Sequence, residues 1–287
     1  MKVLCVLFIL TIFAIATIAD FGITARNYHS RYGIPKAAAI KRDEERGLLS
    51  RIVGGSFTDI SSVPYQVGLI MQILDIYQSV CGASLVSQNR VLSAAHCYDD
   101  GEHIAQSFTV VLGSNYLYTG GVRIVSTDIV IHPEWDTERV INDIMIIRIS
   151  SVSLSNVIQP IALPTESQLN DNFAGRSAVA SGYGQIGDNI NIDGSQRLSS
   201  VSVPIITNTE CIAAFGIFAR PTNICTSGVG RKGTCHGDSG GPIAVNVDGK
   251  PVLVGVTSFR HWDGCQSGQP AGHTRVTSYM SWLQSIL

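Results

Sequence analysis

Cys235-His236-Gly237-Asp238-Ser239-Gly240-Gly241-Pro242 is the stretch around which this 287-residue chain is read. One serine stands among three glycines, next to an aspartate and shortly after a cysteine. Glycine lets the backbone approach a ligand closely and adopt turns closed to other residues. A serine on such a turn can present its hydroxyl and its own N–H to one substrate atom, the geometry that a nucleophile with an oxyanion hole requires. A bare Gly-x-Ser-Gly is more often a surface turn, so the stretch has meaning only with partners elsewhere.

Two upstream strings supply them. Leu92-Ser93-Ala94-Ala95-His96-Cys97 offers a histidine as general base, and Asn142-Asp143-Ile144-Met145-Ile146-Ile147 sets a carboxylate at the edge of an apolar run. The order His96, Asp143, Ser239 is the order of the chymotrypsin triad and differs from that of other triad folds. The three strings resemble the general-base, buried-aspartate and nucleophile motifs of the trypsin/chymotrypsin family of serine endopeptidases, closest to the arthropod digestive chymotrypsins, elastases and collagenolytic enzymes. The resemblance spans Ile52 to Leu287. It implies that Ser239 attacks the scissile carbonyl, that His96 moves the proton, that Asp143 orients His96, and that the N–H groups of Gly237 and Ser239 form the oxyanion hole. It also sets Ser258, in Val256-Thr257-Ser258-Phe259, beside the aspartate on a strand that pairs with substrate.

From Ile52 onward, short apolar or alternating runs rich in β-branched residues are broken by Gly, Asn, Asp and Ser. Tyr65 to Ile70, Phe108 to Leu112, Val122 to Val130, Pro242 to Val247 and Val252 to Phe259 are examples. Such spacing predicts an all-β sandwich or barrel, and the resemblance sharpens it to two six-stranded antiparallel β-barrels with the active site between them. At the end, Val276, Tyr279, Met280, Leu283, Ile286 and Leu287 recur at helical spacing, with Thr277 or Ser278 as N-cap. This predicts a C-terminal helix on the outside of the second barrel.

The first 51 residues read differently. Lys2, the apolar run Val3 to Ile18, and small residues at Thr17 and Ala19 predict a signal peptide over residues 1–19. The alternative is a membrane anchor, for which the run is near the lower limit of about 17 residues. Residues 20–51 are polar, lack cysteine and read as an activation pro-segment. Arg51-Ile52-Val53-Gly54-Gly55 resembles the family's activation junction. Cleavage after Arg51 by a trypsin-like protease would free the Ile52 ammonium to pair with Asp238. A buried carboxylate without a partner is unfavourable, so the pocket and oxyanion hole would order only after the cut.

Of seven cysteines, Cys5 lies in the predicted signal. The other six, Cys81, Cys97, Cys211, Cys225, Cys235 and Cys265, are an even count in a chain expected to be secreted, which argues for three disulfides in any of fifteen pairings. A zinc site is the competing use, but no C-x-x-C is present and His96 next to Cys97 is awkward for one tetrahedral site. The resemblance implies the pairs Cys81–Cys97, Cys211–Cys225 and Cys235–Cys265.

The resemblance makes Gly233 the floor of the primary specificity pocket, followed by Thr234, with walls at Ser258-Phe259-Arg260 and near Ala271. Neither Gly233 nor Ala271 carries a carboxylate, so cleavage after Lys or Arg is disfavoured and chymotrypsin- or elastase-like cleavage after apolar residues is expected. Arg260 stands where open-pocket members have glycine. Its stem could narrow the entrance, its charge could attract an acidic residue, or it could snorkel into solvent. His273 stands where an aromatic is usual, and a neutral packed imidazole is the expectation.

Residues 52–287 hold twelve Lys/Arg against eighteen Asp/Glu, a net of −6 that gives no basic patch for nucleic acid. No cofactor or metal is expected: residues 111–123, which correspond to the calcium loop of trypsins, contain no Asp or Glu. The expected partners are protein or peptide substrates, an activating protease and protein protease inhibitors. The expected state is a monomer outside the cell, in a setting such as the gut lumen. Two other readings compete. A catalytically silent homologue would usually lack a triad residue, and a protease with one signalling target would carry an extra recognition domain.

Overall fold

The β-branched runs form fourteen strands among the described residues, which are residue 23 and residues 25–45, 56–188 and 197–287 of a computed structural model. The predicted signal peptide, Arg51 and Ile52 lie outside the described residues. A short strand β1 (Ser56–Phe57) comes first. The first sheet is built from β2 (Gln66–Ile73), β3 (Tyr77–Ser87), β4 (Arg90–Ser93), β5 (Ser107–Leu112), β6 (Val122–Ser126), β7 (Ile129–Ile131) and β8 (Met145–Arg148). Its order is β6-β5-β2-β3-β4-β8-β7, and every pairing is antiparallel.

The second sheet contains β9 (Ser177–Gly182), β10 (Ser199–Ile206), β11 (Asn223–Thr226), β12 (Pro242–Val247), β13 (Lys250–Arg260) and β14 (Ala271–Arg275). The pairing of β9 with β10 closes these six into a barrel, and β1 adds to β10 from outside. The architecture is therefore the expected pair of antiparallel β-bodies. It differs in detail: strand pairing closes only the second body, and the first remains a curled seven-stranded sheet.

Apolar side chains alternate inward from each sheet. Leu69, Met71, Leu85, Leu92, Phe108 and Ile146 fill the first core, whereas Phe173, Ile205, Ile224, Ile243 and Val254 fill the second. Val122 to Val130 divides into two strands where the Ser126 hydroxyl accepts from the Asp128 N–H at 3.1 Å and donates to Arg148 O at 2.6 Å.

The C-terminal helix is present but sits elsewhere than expected. Val276–Tyr279 is a 3₁₀ turn and the α-helix covers only Met280–Ile286, with Tyr279 rather than Thr277 or Ser278 at its N-cap. Its apolar face, Val276, Tyr279, Met280 and Leu283, belongs to the core that contains the first sheet. Arg90 of β4 donates to Ile286 O at 3.3 Å. The helix thus straps the two bodies together instead of lying outside the second.

Residues 25–45 form more structure than their polarity predicts. A helical turn, His29–Gly33, leads into the helix α1 (Ile34–Glu45), whose Ala37 and Ile40 are buried in the first core. This N-terminal arm lies against β3. Among the described residues no helix is long and apolar enough to cross a membrane.

The three disulfides pair as the resemblance implied: Cys81–Cys97, Cys211–Cys225 and Cys235–Cys265. They consume the thiolates that the competing zinc reading required. Cys81–Cys97 ties β3 to the turn after β4 across 16 residues, a loop length whose closure in the unfolded chain stabilises by about 3 kcal/mol.

Candidate active site

His96 is the middle residue of the 3₁₀ turn Ala95–Cys97, which the Cys97 disulfide pins to β3. Asp143 precedes β8. Asn142 before it adopts φ +60°, a left-handed conformation that asparagine tolerates better than most residues. Its side chain is held at both ends: Nδ2 donates to Glu134 O at 2.7 Å, and Oδ1 accepts from Tyr279 Oη at 3.0 Å.

The Asp143 carboxylate gathers three donors. His96 N donates to Oδ1 at 2.8 Å, His96 Nδ1 lies 2.8 Å from Oδ2, and Ser258 Oγ donates to Oδ2 at 2.5 Å. Ser258 reaches it because β13 changes register against β14 between Thr257 and Phe259. A bulge of this kind re-aims one side chain. Asp143 is 2 % exposed. Burial pushes its carboxyl up, but the His96 charge and the hydrogen bonds from His96 and Ser258 outweigh it and leave the group below its ordinary value. A carboxylate bonded to Nδ1 leaves Nε2 free to accept a proton.

Ser239 comes from the second body, on the loop between β11 and β12, and reaches the same cleft. Its carbonyl accepts from Gly82 N on β3 at 2.7 Å. Cys97 Sγ lies 3.9 Å from His96 Nε2 and 3.7 Å from Ser239 O, so the histidine and serine flank one sulfur. Gly240 must be glycine: at φ +80° a Cβ would fall 2.1 Å from Ser93 Oγ and 2.5 Å from Gly82 O. Gly237 also has a positive φ, +99°.

Asp238 is half-buried behind this loop. Its Oδ1 accepts from Gly184 N and its Oδ2 from Cys235 N, each at 2.8 Å. Burial raises its pKa to about 6 even though both N–H bonds oppose the shift. It borders a cleft lined also by Gly182, Gly184, Lys232, Gly233 and Gln266.

Gly233, Thr234, Arg260 and Ala271 share the lining of a second pocket, which does not include Ser258. Arg260 departs from one expectation. It is 6 % exposed and does not snorkel into solvent. Its guanidinium rests on the Cys235–Cys265 disulfide and against the His236 ring. His273 is fully buried with Nε2 2.9 Å from Thr226 Oγ1, and burial lowers its pKa to about 3, so it packs as a neutral ring.

The N-terminal arm supplies neighbours that the motif reading missed. The Tyr28 ring meets the His96 ring edge-on at 5.0 Å, its hydroxyl donates to Val80 O at 2.7 Å, and the same oxygen faces the Ser239 side chain and the Gly237 N–H. Burial pushes this phenol well above its ordinary pKa. Tyr32, one helical turn on, stacks on His236 at 3.9 Å. The i, i+4 spacing of two tyrosines was the available signal.

A family model described as Trypsin matches residues 52–283. The chain belongs to the trypsin family. This trypsin-family chain is 37 % identical over 237 residues to the collagenase of Hypoderma lineatum, covering 82 % of this chain and 86 % of that protein. It is 37 % identical to brachyurin of Leptuca pugilator over 82 % of this chain and 97 % of the relative. Human chymotrypsin-like elastase family member 1 is 32 % identical over 83 % of this chain and 93 % of the relative. The solved structure of HL collagenase superposes with a TM-score of 0.74 at 36 % identity, over 82 % of this chain and 97 % of that one. Membership, with relatives of these kinds, makes the chain a serine endopeptidase.

Proposed function

We propose that the chain is the precursor of a secreted endopeptidase with Ser239, His96 and Asp143 as its catalytic triad. The observation that carries this reading is the buried pair of His96 Nδ1 and Asp143 Oδ2 at 2.8 Å, with His96 Nε2 and the Ser239 carbonyl on either side of the Cys97 sulfur. In the forward step Ser239 Oγ bonds to the scissile carbonyl carbon while His96 Nε2 takes the serine proton. The carbonyl oxygen, now an anion, accepts from the N–H groups of Gly237 and Ser239. His96 returns the proton to the leaving amine as the C–N bond breaks, and an acyl-enzyme remains. Water repeats the sequence and restores Ser239. Asp143 stays ionised and holds the imidazole in the tautomer with Nε2 free.

The reading includes residues 1–19 as a signal peptide, residues 20–51 as a pro-segment and residues 52–287 as the protease domain. Cleavage after Arg51 frees the Ile52 ammonium, and its partner is Asp238, whose raised pKa is that of a buried carboxylate lacking a full counter-charge. Gly233 and Ala271 offer no carboxylate to a basic side chain, and Arg260 narrows the pocket, so the enzyme cuts after apolar residues. A digestive role for a monomer in an extracellular lumen fits the similarity to a protein named collagenase.

The test is a peptide library varied at the residue before the scissile bond, cut by the trypsin-treated precursor. Ser239→Ala serves as control. Cleavage after Phe, Tyr, Leu or Ala that the control lacks is the expected result. Cleavage after Lys or Arg would overturn the pocket assignment. Absence of cleavage and of fluorophosphonate labelling in protein correctly cut after Arg51 and freed of its pro-segment would overturn the catalytic one.

A further inference from the structure

The N-terminal arm spans the cleft from end to end. At one end Ile23 and Ala25 are buried among Phe215, Ala219, Phe259 and Val140 of the protease domain. Asn27 N donates to Asp100 O at 3.1 Å, and His29 N donates to Asp100 Oδ2 at 2.7 Å. His29 Nδ1 lies 2.8 Å from Ser79 Oγ on β3. Tyr28 fills the centre, with its ring on His96 and its hydroxyl on Val80 O. Ala37 and Ile40 of α1 pack into the first core. At the far end the Glu44 carboxylate accepts from Leu117 N at 2.7 Å, from Tyr118 N at 3.0 Å and from Thr119 Oγ1 at 3.0 Å. The loop with no acidic residue of its own thus receives one from the arm.

Two features separate this arm from a substrate. A protease substrate lies extended and adds as a strand to the enzyme. Here Tyr28 has φ −59° and ψ −43°, and the chain is helical from His29 to Glu45. No extended peptide is offered to Ser239 by these residues; a phenol fills the space instead. Every contact named also lies N-terminal to Arg51. None depends on the Arg51–Ile52 bond, and no cysteine joins the arm to the domain.

From the reach of these contacts we infer that the pro-segment, once cut from the protease domain, remains bound as a non-covalent inhibitor plugged by Tyr28. The inference rests on the protease reading above. Activation then takes two steps: cleavage after Arg51, and departure of the arm from the cleft. Departure is concentration-dependent, so the enzyme is restrained where it is stored concentrated and released on dilution.

The experiment uses full-chain precursor treated with trypsin, and synthetic peptides of residues 23–45 added to it in trans. Peptides avoid any folding defect in a variant precursor. Specific activity should rise on dilution, and the wild-type peptide should reverse the rise and protect Ser239 from a fluorophosphonate. The Tyr28→Ala peptide should need about 100-fold more, the scale of removing a buried aromatic. Retention of activity and labelling at about 100 μM wild-type peptide, an energy near −5 kcal/mol, would overturn the inference. If the cut protein labels at no dilution, either the arm has not left the cleft or the protease reading fails. Binding of fluorescent peptide to that protein then decides: Tyr28-dependent binding supports the inference and absence of binding overturns it.

Discussion

Tyr28 meets His96 edge to face, with ring centroids 5.0 Å apart and planes at 68°. The contact joins a residue of the N-terminal arm to the base of the proposed triad. It closes the cleft over His96, which is 0 % exposed, and over Ser239, which is 7 % exposed. Water is excluded from the Asp143–His96 pair on that side, and the phenol oxygen that the arm brings to the nucleophile already donates to Val80 O.

The arm should loosen in acid. Burial, helped by the nearby charge of His96 and His103 and opposed by Asp100, lowers the His29 pKa from its ordinary 6.5 to about 4. A group with a lowered pKa in the bound state binds fewer protons there than when free. Affinity of the 23–45 peptide for Ser239→Ala protein is therefore full above pH 6.5 and falls about tenfold per unit toward pH 4. The His29→Gln peptide should lack that slope. Fluorescence anisotropy across the range checks both, and equal slopes for the two peptides would assign the effect to other groups.

Asp143→Asn should cut kcat by about 10⁴ with a small change in KM, the size seen when a triad aspartate is replaced and the imidazole takes the wrong tautomer. The loss is in the chemistry because Asp143 contacts His96 and Ser258, not substrate. Steady-state kinetics with an apolar chromogenic substrate reads it.

Asp238 should make the uncut precursor less stable as pH rises. Its folded pKa, about 6, lies above its ordinary 3.8, so the folded protein holds the extra proton between these values. The stabilisation is fully present below pH 3.8 and lost by the time pH passes about 6, a change of about 3 kcal/mol. Urea unfolding of wild-type and Asp238→Asn precursors at pH 4.5 and 7.5 tests this. The variant should lack that part of the decline, while its cut form, unable to pair an ammonium with a carboxylate, should be nearly inactive.

Arg260→Gly should widen the specificity pocket. The side chain lies on the Cys235–Cys265 disulfide within the lining shared with Gly233 and Ala271. Its removal should raise the kcat/KM ratio of Phe over Ala substrates by about 10–100-fold, the range that a few methylenes of pocket space command. An unchanged ratio, or a lost preference for acidic residues, would show that Arg260 acts by charge.

The legible parts of the molecule were those written in contiguous strings. Pro242 to Val247 is a strand in both readings because its alternation is local. β11 and β14 carry no such local signal. Asn223-Ile224-Cys225-Thr226 and Ala271-Gly272-His273-Thr274-Arg275 are short and half polar, and they are strands because the closed barrel pairs their backbones. The C-terminal helix was visible as a period but not as an address. Nothing in Val276 to Leu287 says which core its apolar face will join.

The sequence by itself determined the family, the residues proposed as a triad and their order, the disulfide set through that resemblance, and an all-β body, because each is carried by residue types at short spacing. Only the tertiary structure decided that Ser258 reaches Asp143, that Arg260 turns inward, and that the arm lies across the cleft. Those facts depend on distant residues meeting: Ser258 and Asp143, 115 positions apart, at 2.5 Å, and the rings of Tyr32 and His236, 204 positions apart, at 3.9 Å. Such meetings follow from strand register, a bulge and the packing of two sheets. Tyr28 is one tyrosine in a polar arm until β3 folds and gives its hydroxyl the carbonyl of Val80.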